Sequence, residues 1–300
     1  GAEVNMSYNS EYGVTGFGVD MAKVYLTSNN LGARDRMMTN LFLEHRFKLF
    51  NDKMDVTPGV AVNYFSDFKF HAFPGIDIGY AVNDQLKLYA NAGYTYRIPT
   101  YTDLFYSDPT TLGNENLNPE EAITQELGLK YASSKVQFSF AYFNRSSNNL
   151  IDYVKENPAD KWQATNIQDL NSSGVELNMS YGYKMNDFNQ KFSFGYTYLE
   201  EDLDDIAVAY SRYSINSLKH HFTTNYKTQF FKNVSQSVIY KYAERVTGES
   251  YAVVDLQVSL NLKAFDISLI GNNIFDTEYT ETNLVPMPKS NFLIDLKYKF

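Results

Sequence analysis

The chain has 300 residues, a formal net charge of −9 and no cysteine. The absence of cysteine excludes disulfides, thiol nucleophiles and cysteine-based zinc or iron–sulfur sites. The acidic balance argues against a nucleic-acid partner, because a phosphate-binding surface should be basic.

An alternation of apolar and polar residues runs from near the start of the chain to its end. It is weak at 4–8, and residues 2–26 read either as one broken strand or as two strands around 9–13. Its clearest copies lie at 136–142, 175–183, 192–198, 254–262 and 292–300. A period of two is typical of strands with one apolar and one polar face. We therefore expect an all-β chain of about 14 or 15 strands, each near the roughly 9–11 residues that cross a bilayer when tilted.

The connections between these strands alternate in length. The short ones, rich in Asn, Asp, Ser and Lys, lie at 51–53, 83–84, 133–134, 186–187, 232–233 and 263–264. The long ones are expected at about 65–73, 98–121, 146–163, 199–217, 245–251 and 276–290. Strict alternation predicts an antiparallel up-and-down transmembrane β-barrel, with tight turns at one end and long loops at the other. A soluble β-sandwich also alternates along each strand, but its Greek-key crossovers would not give this order of connections.

One segment of the predicted loop 98–121 carries motifs of a known family. The motifs read Arg97-Ile-Pro99, Asp103-Leu-Phe and Gly113-Asn114-Glu-Asn-Leu-Asn118-Pro119-Glu120. They resemble the Arg-x-Pro, Asp-Leu-aromatic and Gly-Asn-x-x-Leu-x-Pro-Glu boxes of TonB-dependent outer-membrane receptors. Residues 149–177 resemble the next strand pair of that family, and residues 271–279 with the terminal Phe300 resemble its last hairpin.

The resemblance implies a fold and a function. Receptors of this family have a 22-stranded barrel preceded by a plug domain, so we expect residues 1–300 to be one domain, the C-terminal part of such a barrel without the plug. The implied function is TonB-dependent import of a scarce, bulky ligand, either cobalamin or a ferric siderophore, across the outer membrane of a Gram-negative bacterium. A complete 14-stranded passive porin is the alternative. The sequence shows no catalytic constellation and no metal-ligand spacing, so we expect neither an enzyme nor a bound cofactor.

The resemblance also implies partners. They are the TonB complex, reached through the plug domain, the imported small molecule, and the lipid and lipopolysaccharide around the barrel. Phe300 is where the barrel-assembly machinery would recognise the chain, and a surface lipoprotein is a possible further partner.

Most motif residues are expected to have structural roles. Gly113 would supply an unusual backbone angle, Asn114 and Asn118 would bond to nearby backbone, and Pro119 would stiffen the entry into the next strand. Arg97 is expected to pair with Glu120 or Glu126.

Ligand contacts are predicted from the two neighbouring loops. Aromatic rings with a few polar groups suit a flat, bulky ligand such as a corrin or an iron chelate. Ordinary loop packing explains any one of these residues equally well. The candidates are Tyr101, Asp103, Tyr106, Asp108, Tyr153 and Trp162.

Overall fold

A computed structural model describes residues 1–167, 169–202, 209–212, 218–281 and 285–299. Within these ranges the chain forms nineteen strands and one short helix. Up to the helix the strands are β1 (Ala2–Ser10), β2 (Gly13–Ser28), β3 (Gly32–Leu49), β4 (Met54–Phe65), β5 (Lys69–Ala81) and β6 (Leu86–Arg97). Helix α1 spans Tyr101–Phe105 and is followed by β7 (Thr111–Leu112), β8 (Glu120–Ala132), β9 (Val136–Asn148), β10 (Ile151–Lys155) and β11 (Trp162–Asn166). The remaining strands are β12 (Leu170–Met185), β13 (Phe188–Glu201), β14 (Tyr210–Ser211), β15 (Leu218–Phe231), β16 (Val234–Arg245), β17 (Ser250–Asn261), β18 (Phe265–Asn272) and β19 (Asn291–Tyr298).

The chain divides into two compact units, and several strands contribute residues to both. The first unit comprises Gly1–Leu129, Tyr142–Ser173 and Glu201–Ile215. In it, strands β1 to β6 pair antiparallel in chain order. The segment 2–26 is therefore two strands rather than one broken strand, with a two-residue turn before Gly13, whose φ of 138° favours glycine.

The second unit comprises Lys130–Ala141, Gly174–Glu200 and Asn216–Phe300. Strands β13, β15, β16, β17, β18 and β19 pair antiparallel in that order. Their connections are tight where the sequence predicts them to be. Asn186 and Asp187, for example, both have positive φ, as a two-residue hairpin turn requires.

The lengths of the connections differ from the prediction at two places. Residues 66–68 and 246–249 are short turns, because β4, β5, β16 and β17 extend further than expected. The long connections at 98–119, 149–169, 202–217 and 273–290 agree with the prediction. Fifteen strands remain when the short strands β7, β10, β11 and β14 are left out. This number equals the higher of the two strand counts, 14 and 15, expected from the sequence.

The apolar rows of the long strands face outward. Leu41 and Leu43 on β3 are 51% and 54% exposed, and Phe292, Ile294 and Leu296 on β19 are at least 63% exposed. A soluble sandwich would bury such rows in its core. The all-β antiparallel fold predicted from the sequence is confirmed, and its apolar rows are exposed as the strands of a membrane-spanning barrel require. Among the described residues, no helix has the length and apolar character needed to cross a membrane.

The buried core of the first unit lies among its long connections. Strands β14, β10, β11 and β7 form a small sheet in that order, hereafter the loop sheet. Leu104 of α1, Leu117, and Ile151, Tyr153 and Ala164 of the loop sheet form a buried cluster, and Phe68, Phe105 and Trp162 pack against it. The long connections are therefore a packed structure with its own core.

Candidate functional site

An ion pair joins the two strands that flank the first long connection. Arg97 ends β6, and Glu120, which is 8% exposed, begins β8. Arg97 Nε and Nη2 donate to the two carboxylate oxygens of Glu120, each at 2.6 Å. Glu120 Oε1 also accepts from the backbone N–H of Ile151 at 2.7 Å. Glu126, the other expected partner of Arg97, instead accepts from the Tyr89 hydroxyl at 2.7 Å.

The buried carboxylate of Asp103 holds helix α1 in place. Thr100 caps α1, and its backbone N–H and hydroxyl donate to Asp103 Oδ2 at 2.9 and 2.8 Å, while Asp103 N–H donates back to Thr100 Oγ1. Arg97 Nη1 lies 3.4 Å from the same carboxylate oxygen. The Tyr153 hydroxyl donates to Asp103 Oδ1 at 3.1 Å. Asp103 and Tyr153, both predicted to contact ligand, thus contact each other and are 7% and 5% exposed.

Two arginines of β3 contact residues in and next to helix α1. Arg36 pairs with Asp67 at 2.7 Å, donates to the carbonyl of the fully buried Pro99 at 3.2 Å and lies 4.8 Å from the Tyr101 ring centre. Arg34 lies 3.6 Å from the Phe105 ring centre. These contacts could not be predicted from the sequence, since cations at alternate strand positions are also typical of a solvated face.

Tyr101 keeps one polar group unused in this arrangement. Its hydroxyl is buried and has no hydrogen-bond partner in the part of the chain that the structure describes. Burial raises the pKa of Tyr101 above its usual value. The hydroxyl is therefore a neutral donor that an incoming acceptor could use.

Gly113 is required by close packing. A Cβ on it would lie 2.8 Å from the carbonyl carbon of Leu104 and 2.9 Å from the Asp103 carbonyl oxygen. Its N–H donates to the Tyr106 carbonyl at 2.6 Å. The prediction of an unusual backbone angle at Gly113 is wrong, because the described glycines with positive φ are Gly13, Gly32 and Gly248.

Asn114 forms a local hydrogen bond, and Asn118 forms hydrogen bonds with a residue distant in sequence. Asn114 Oδ1 accepts from the Asn116 N–H at 3.0 Å, which is the predicted local bond. The Asn118 N–H donates to Asn166 Oδ1 at 2.7 Å, and Asn166 Nδ2 donates to the Asn118 carbonyl at 2.9 Å. Pro119 directly precedes β8. Phe300 lies outside the described residues.

Tyr106, Asp108 and Trp162 lie together at the edge of the loop sheet. Asp108 Oδ1 accepts from the backbone of Thr110 and Thr111, and Asp108 Oδ2 accepts from the Tyr106 hydroxyl at 3.1 Å. The backbone N–H of Trp162 donates to the Thr110 carbonyl at 2.8 Å. Trp162 is half-buried. Hydrogen bonds from Thr110, first its backbone N–H, hold the pKa of Asp108 below its usual value.

We expect acid to open this turn only at low pH. Because the pKa of Asp108 is lower in the folded turn than in the unfolded chain, its stabilising effect is complete above the usual value of 3.8 and is lost as the pH falls through the folded pKa. Hydrogen exchange at Thr111, corrected for its intrinsic pH dependence, should stay slow to below that value. In Asp108→Asn the exchange should be faster and without this acid transition, and an unchanged pH profile would contradict the assignment.

The sequence missed two cations beside Trp162. Lys155 Nζ lies 4.7 Å from the centre of the indole, and the guanidinium carbon of Arg212 lies 4.9 Å from it. Arg212 follows β14, which pairs with β10 although the two strands are far apart in sequence. Local pattern gave no means of placing it.

The second unit has a cavity of its own. It measures about 620 Å³ and is bounded by the ends of β16 and β17 and by the connection after β18. Tyr251 and Tyr279 stack in its wall with ring centres 4.5 Å apart. Among the described residues of either unit, no group of three or more His, Asp or Glu could hold a metal ion.

Comparison with known proteins identifies the family. Residues 1–274 match the sequence model described as "TonB dependent receptor-like, beta-barrel". The vitamin B12 transporter BtuB of Photobacterium profundum is 25% identical over 232 residues, which cover 74% of this chain and 36% of that protein. The corresponding protein of Vibrio cholerae serotype O1 is 25% identical over 241 residues, with 75% and 36% covered. The chain thus spans about a third of the length of these curated relatives.

Solved structures share the fold at low sequence identity. The siderophore receptor PirA of Pseudomonas aeruginosa has a TM-score of 0.76 and 17% identity, with 98% of this chain and 53% of that chain covered. The copper transporter OprC has a TM-score of 0.78 and 15% identity, with 99% and 56% covered. The matched family and the curated relatives are receptors and transporters rather than enzymes, as the sequence predicts. The chain belongs to the TonB-dependent receptor β-barrel family.

Proposed function

We propose that the protein to which this chain contributes imports a bulky small molecule, cobalamin or a ferric siderophore, across the outer membrane of a Gram-negative bacterium. The match of residues 1–274 to the receptor family carries this proposal. The curated relatives are named vitamin B12 transporters. Solved structures of similar fold are described as siderophore receptors, one of them in complex with enterobactin.

The ligand would first meet the long connections of the first unit. We place these outside the cell and the tight turns in the periplasm, because outer-membrane barrels are oriented in this way. Asp103 and Tyr153 are hydrogen-bonded to each other. The remaining candidates for ligand contact are therefore Tyr101, Tyr106, Asp108 and Trp162. Polar groups beside half-buried rings suit a flat ligand that keeps part of its hydration.

The remaining partners follow from the same proposal. TonB would act through a plug domain, and lipid with lipopolysaccharide would cover the outward apolar rows of strands such as β3 and β19. The barrel-assembly machinery would insert the strands into the membrane, and a surface lipoprotein could cover the long connections.

Energised uptake tests this function. Cells that produce the full-length receptor should accumulate radiolabelled cyanocobalamin or a radiolabelled ferric chelate, and accumulation should fall to background in cells without TonB. The receptor with Trp162→Ala should take up the same ligand more slowly at low concentration. Accumulation that continues without TonB, or steady ion conductance of the full-length protein in planar bilayers, would support the porin alternative and contradict the proposal.

A further inference from the structure

A row of polar residues crosses four strands of the second unit near their tight turns. Lys191 of β13 pairs in register with Lys227 of β15, and Lys227 pairs with Ser237 of β16. Ser237 pairs in turn with Gln257 of β17. Residues directly opposite each other in an antiparallel sheet have their side chains on the same face. The four side chains therefore lie on one side of the sheet, opposite the apolar rows of these strands.

This row borders a cavity of about 440 Å³, hereafter the lysine cavity. Apart from Lys191 and Lys227, the described residues that line it are all Asn, Gln, Ser or Thr. Within the described part of the chain, its wall thus carries two positive charges, no negative charge and many hydrogen-bonding groups. Its volume is in the range of small-molecule sites. Such a wall favours an anion over a cation or an apolar group.

The charge of the two lysines has no counter-charge among the described residues. Neither Lys191 nor Lys227 forms an ion pair or a side-chain hydrogen bond with any of them, although the two lysines lie directly opposite each other. Like charges in this arrangement are destabilising. By contrast, Lys241, on the same side of β16 as Ser237, lies 2.9 Å from the carboxylate of Asp255. The lysine cavity therefore differs from its surroundings in lacking a carboxylate.

The polar side chains beside the lysines form hydrogen bonds with one another. Ser237 Oγ donates to Asn225 Oδ1 at 2.9 Å, and Gln257 Nε2 donates to Ser259 Oγ at 3.0 Å. The hydroxyl oxygens of Ser259 and Ser268 lie 2.9 Å apart. These bonds fix the wall of the cavity, while each lysine ammonium group keeps its three N–H donors for a further partner.

We propose that Lys191 and Lys227 form a binding site for one oxyanion, a carboxylate or a phosphate group, which accepts hydrogen bonds from both ammonium groups. The Cβ atoms of directly opposed residues lie about 5 Å apart, so both side chains can reach the same group. Charge-assisted hydrogen bonds of this kind are stronger than neutral ones. A single bound oxyanion would also offset the repulsion between the two lysines.

Two sources supply this chemistry. The first is a carboxylate side chain of the full-length receptor outside residues 1–300, since this chain covers only 36% of its curated relative. Such a carboxylate would join another segment of the receptor to the polar side of the sheet through an ionic contact. The second is a free small anion. The site lies at the tight-turn ends of the second unit and does not depend on the proposed function.

The reactivity of the lysine amines tests the inference in the full-length receptor in detergent. A soluble N-hydroxysuccinimide ester acetylates exposed lysines, and mass spectrometry measures the rate at each one. At equal ionic strength, replacing chloride by inorganic phosphate should slow acetylation of Lys191 and Lys227 about tenfold, because an amine that donates to an oxyanion is protonated and covered. Lys263, an exposed lysine in the tight turn before β18, should react equally in both salts.

A water-soluble carbodiimide distinguishes the two sources. It activates a carboxylate, which forms an amide with an adjacent lysine amine while the reagent leaves as a urea. A linked peptide that joins Lys191 or Lys227 to a residue outside 1–300 assigns the oxyanion to the receptor itself. Both lysines should then react about tenfold more slowly than Lys263 in chloride as well as in phosphate. Protection by phosphate without a linked peptide assigns the site to a free anion.

A charge-removing variant tests whether both lysines hold the same anion. In Lys191→Gln, acetylation of Lys227 in phosphate should become about tenfold faster, because the anion loses one of its two charged partners. Lys191→Arg keeps the charge and should keep the slow rate. For two solvated lysines, loss of the neighbouring charge would instead slow Lys227, since repulsion favours the uncharged amine. Equal heat-dependent shifts of electrophoretic mobility show that each variant is folded.

Two results would overturn the inference. One is that both lysines react as fast as Lys263 in chloride and in phosphate and no linked peptide forms. The other is that Lys191→Gln leaves the acetylation of Lys227 unchanged or slower. Either result would leave the proposed function standing if uptake still depends on TonB. Uptake that does not depend on TonB would remove the proposed function without bearing on this site.

Discussion

Replacement of Glu120 by glutamine should weaken the attachment of the loop sheet to the start of β8. The Glu120 carboxylate accepts both Arg97 bonds at 2.6 Å and the Ile151 N–H at 2.7 Å. An amide cannot accept at both oxygen positions, so at least one of these donors loses its partner. Because the Arg97 side chain is 46% exposed, water can replace part of the loss. We expect the local free energy of opening to fall by about 2 kcal/mol.

Limited proteolysis measures this opening. Lys155 ends β10 and Lys161 directly precedes β11, so trypsin should cut after these residues about thirtyfold faster in Glu120→Gln when cleavage is slower than reclosing. Glu126→Gln is the matched control, since Glu126 lies on the same strand and its one bond, from Tyr89, leads to no long connection. Equal cleavage rates in wild type and Glu120→Gln would show that the ion pair does not hold the loop sheet.

Replacement of Gly113 by valine should displace α1. Its Cβ would fall 2.8 Å from the Leu104 carbonyl carbon and 2.9 Å from the Asp103 and Leu104 carbonyl oxygens. These are backbone atoms of the helix, so relief requires the helix to move rather than a side chain to rotate. Overpacking of this kind costs about 1–3 kcal/mol. Leu104 would leave the cluster against which Trp162 packs.

Tryptophan emission reports the movement. The chain has one tryptophan, so the spectrum of the full-length receptor minus that of its Trp162→Phe form isolates the indole. In Gly113→Val we expect emission at longer wavelength and stronger quenching by acrylamide, because water reaches Trp162. Gly93→Val is the control, since nothing lies within 4 Å of a Cβ at that position on β6. Identical emission in wild type and Gly113→Val would contradict the packing role.

Sequence reasoning succeeded where the structure depends on nearby residues. The period-two rows of β17 and β19 state directly which side chains share a face. Tight turns such as Asn186–Asp187 follow from residues that tolerate positive φ. The long connection predicted at 65–73 was wrong, because β4 continues to Phe65 and β5 begins at Lys69, which leaves a turn of three residues.

The interior of the long connections could not be read in this way. The bond between Asp103 and Tyr153 joins residues 50 positions apart, and that between Asn118 and Asn166 joins residues 48 apart. Composition alone suggested that Asp103 and Tyr153 face a ligand, whereas the structure uses them to dock α1 on β10. The motif that resembles the receptor family did indicate the pair of Arg97 and Glu120. A charged pair within a short motif can be predicted from the sequence. A packing partner about 50 residues away, such as Tyr153 for Asp103, cannot.

These contacts assign a common task to most motif residues. Arg97, Asp103, Gly113 and Glu120 hold a short helix and the loop sheet together, and thereby support the surface that carries Trp162. Loops positioned by such a framework can bind a ligand without ordering themselves at the time of binding. On the proposed function, we expect motif variants to weaken ligand capture indirectly, by loosening the surface that carries Trp162, and variants of that surface to weaken it directly.

Hydrogen exchange at the Ile151 amide tests this account most directly, because that N–H has Glu120 as its partner. In the full-length receptor, mass spectrometry with fragmentation to single residues should show Ile151 protected in the wild type. Protection should fall about thirtyfold in Glu120→Gln and be kept in Glu126→Gln, while residues of β17 exchange equally in all three. Exchange of Ile151 at the unprotected rate in the wild type, or protection that is unchanged in Glu120→Gln, would contradict the claim that the motif holds the loop sheet.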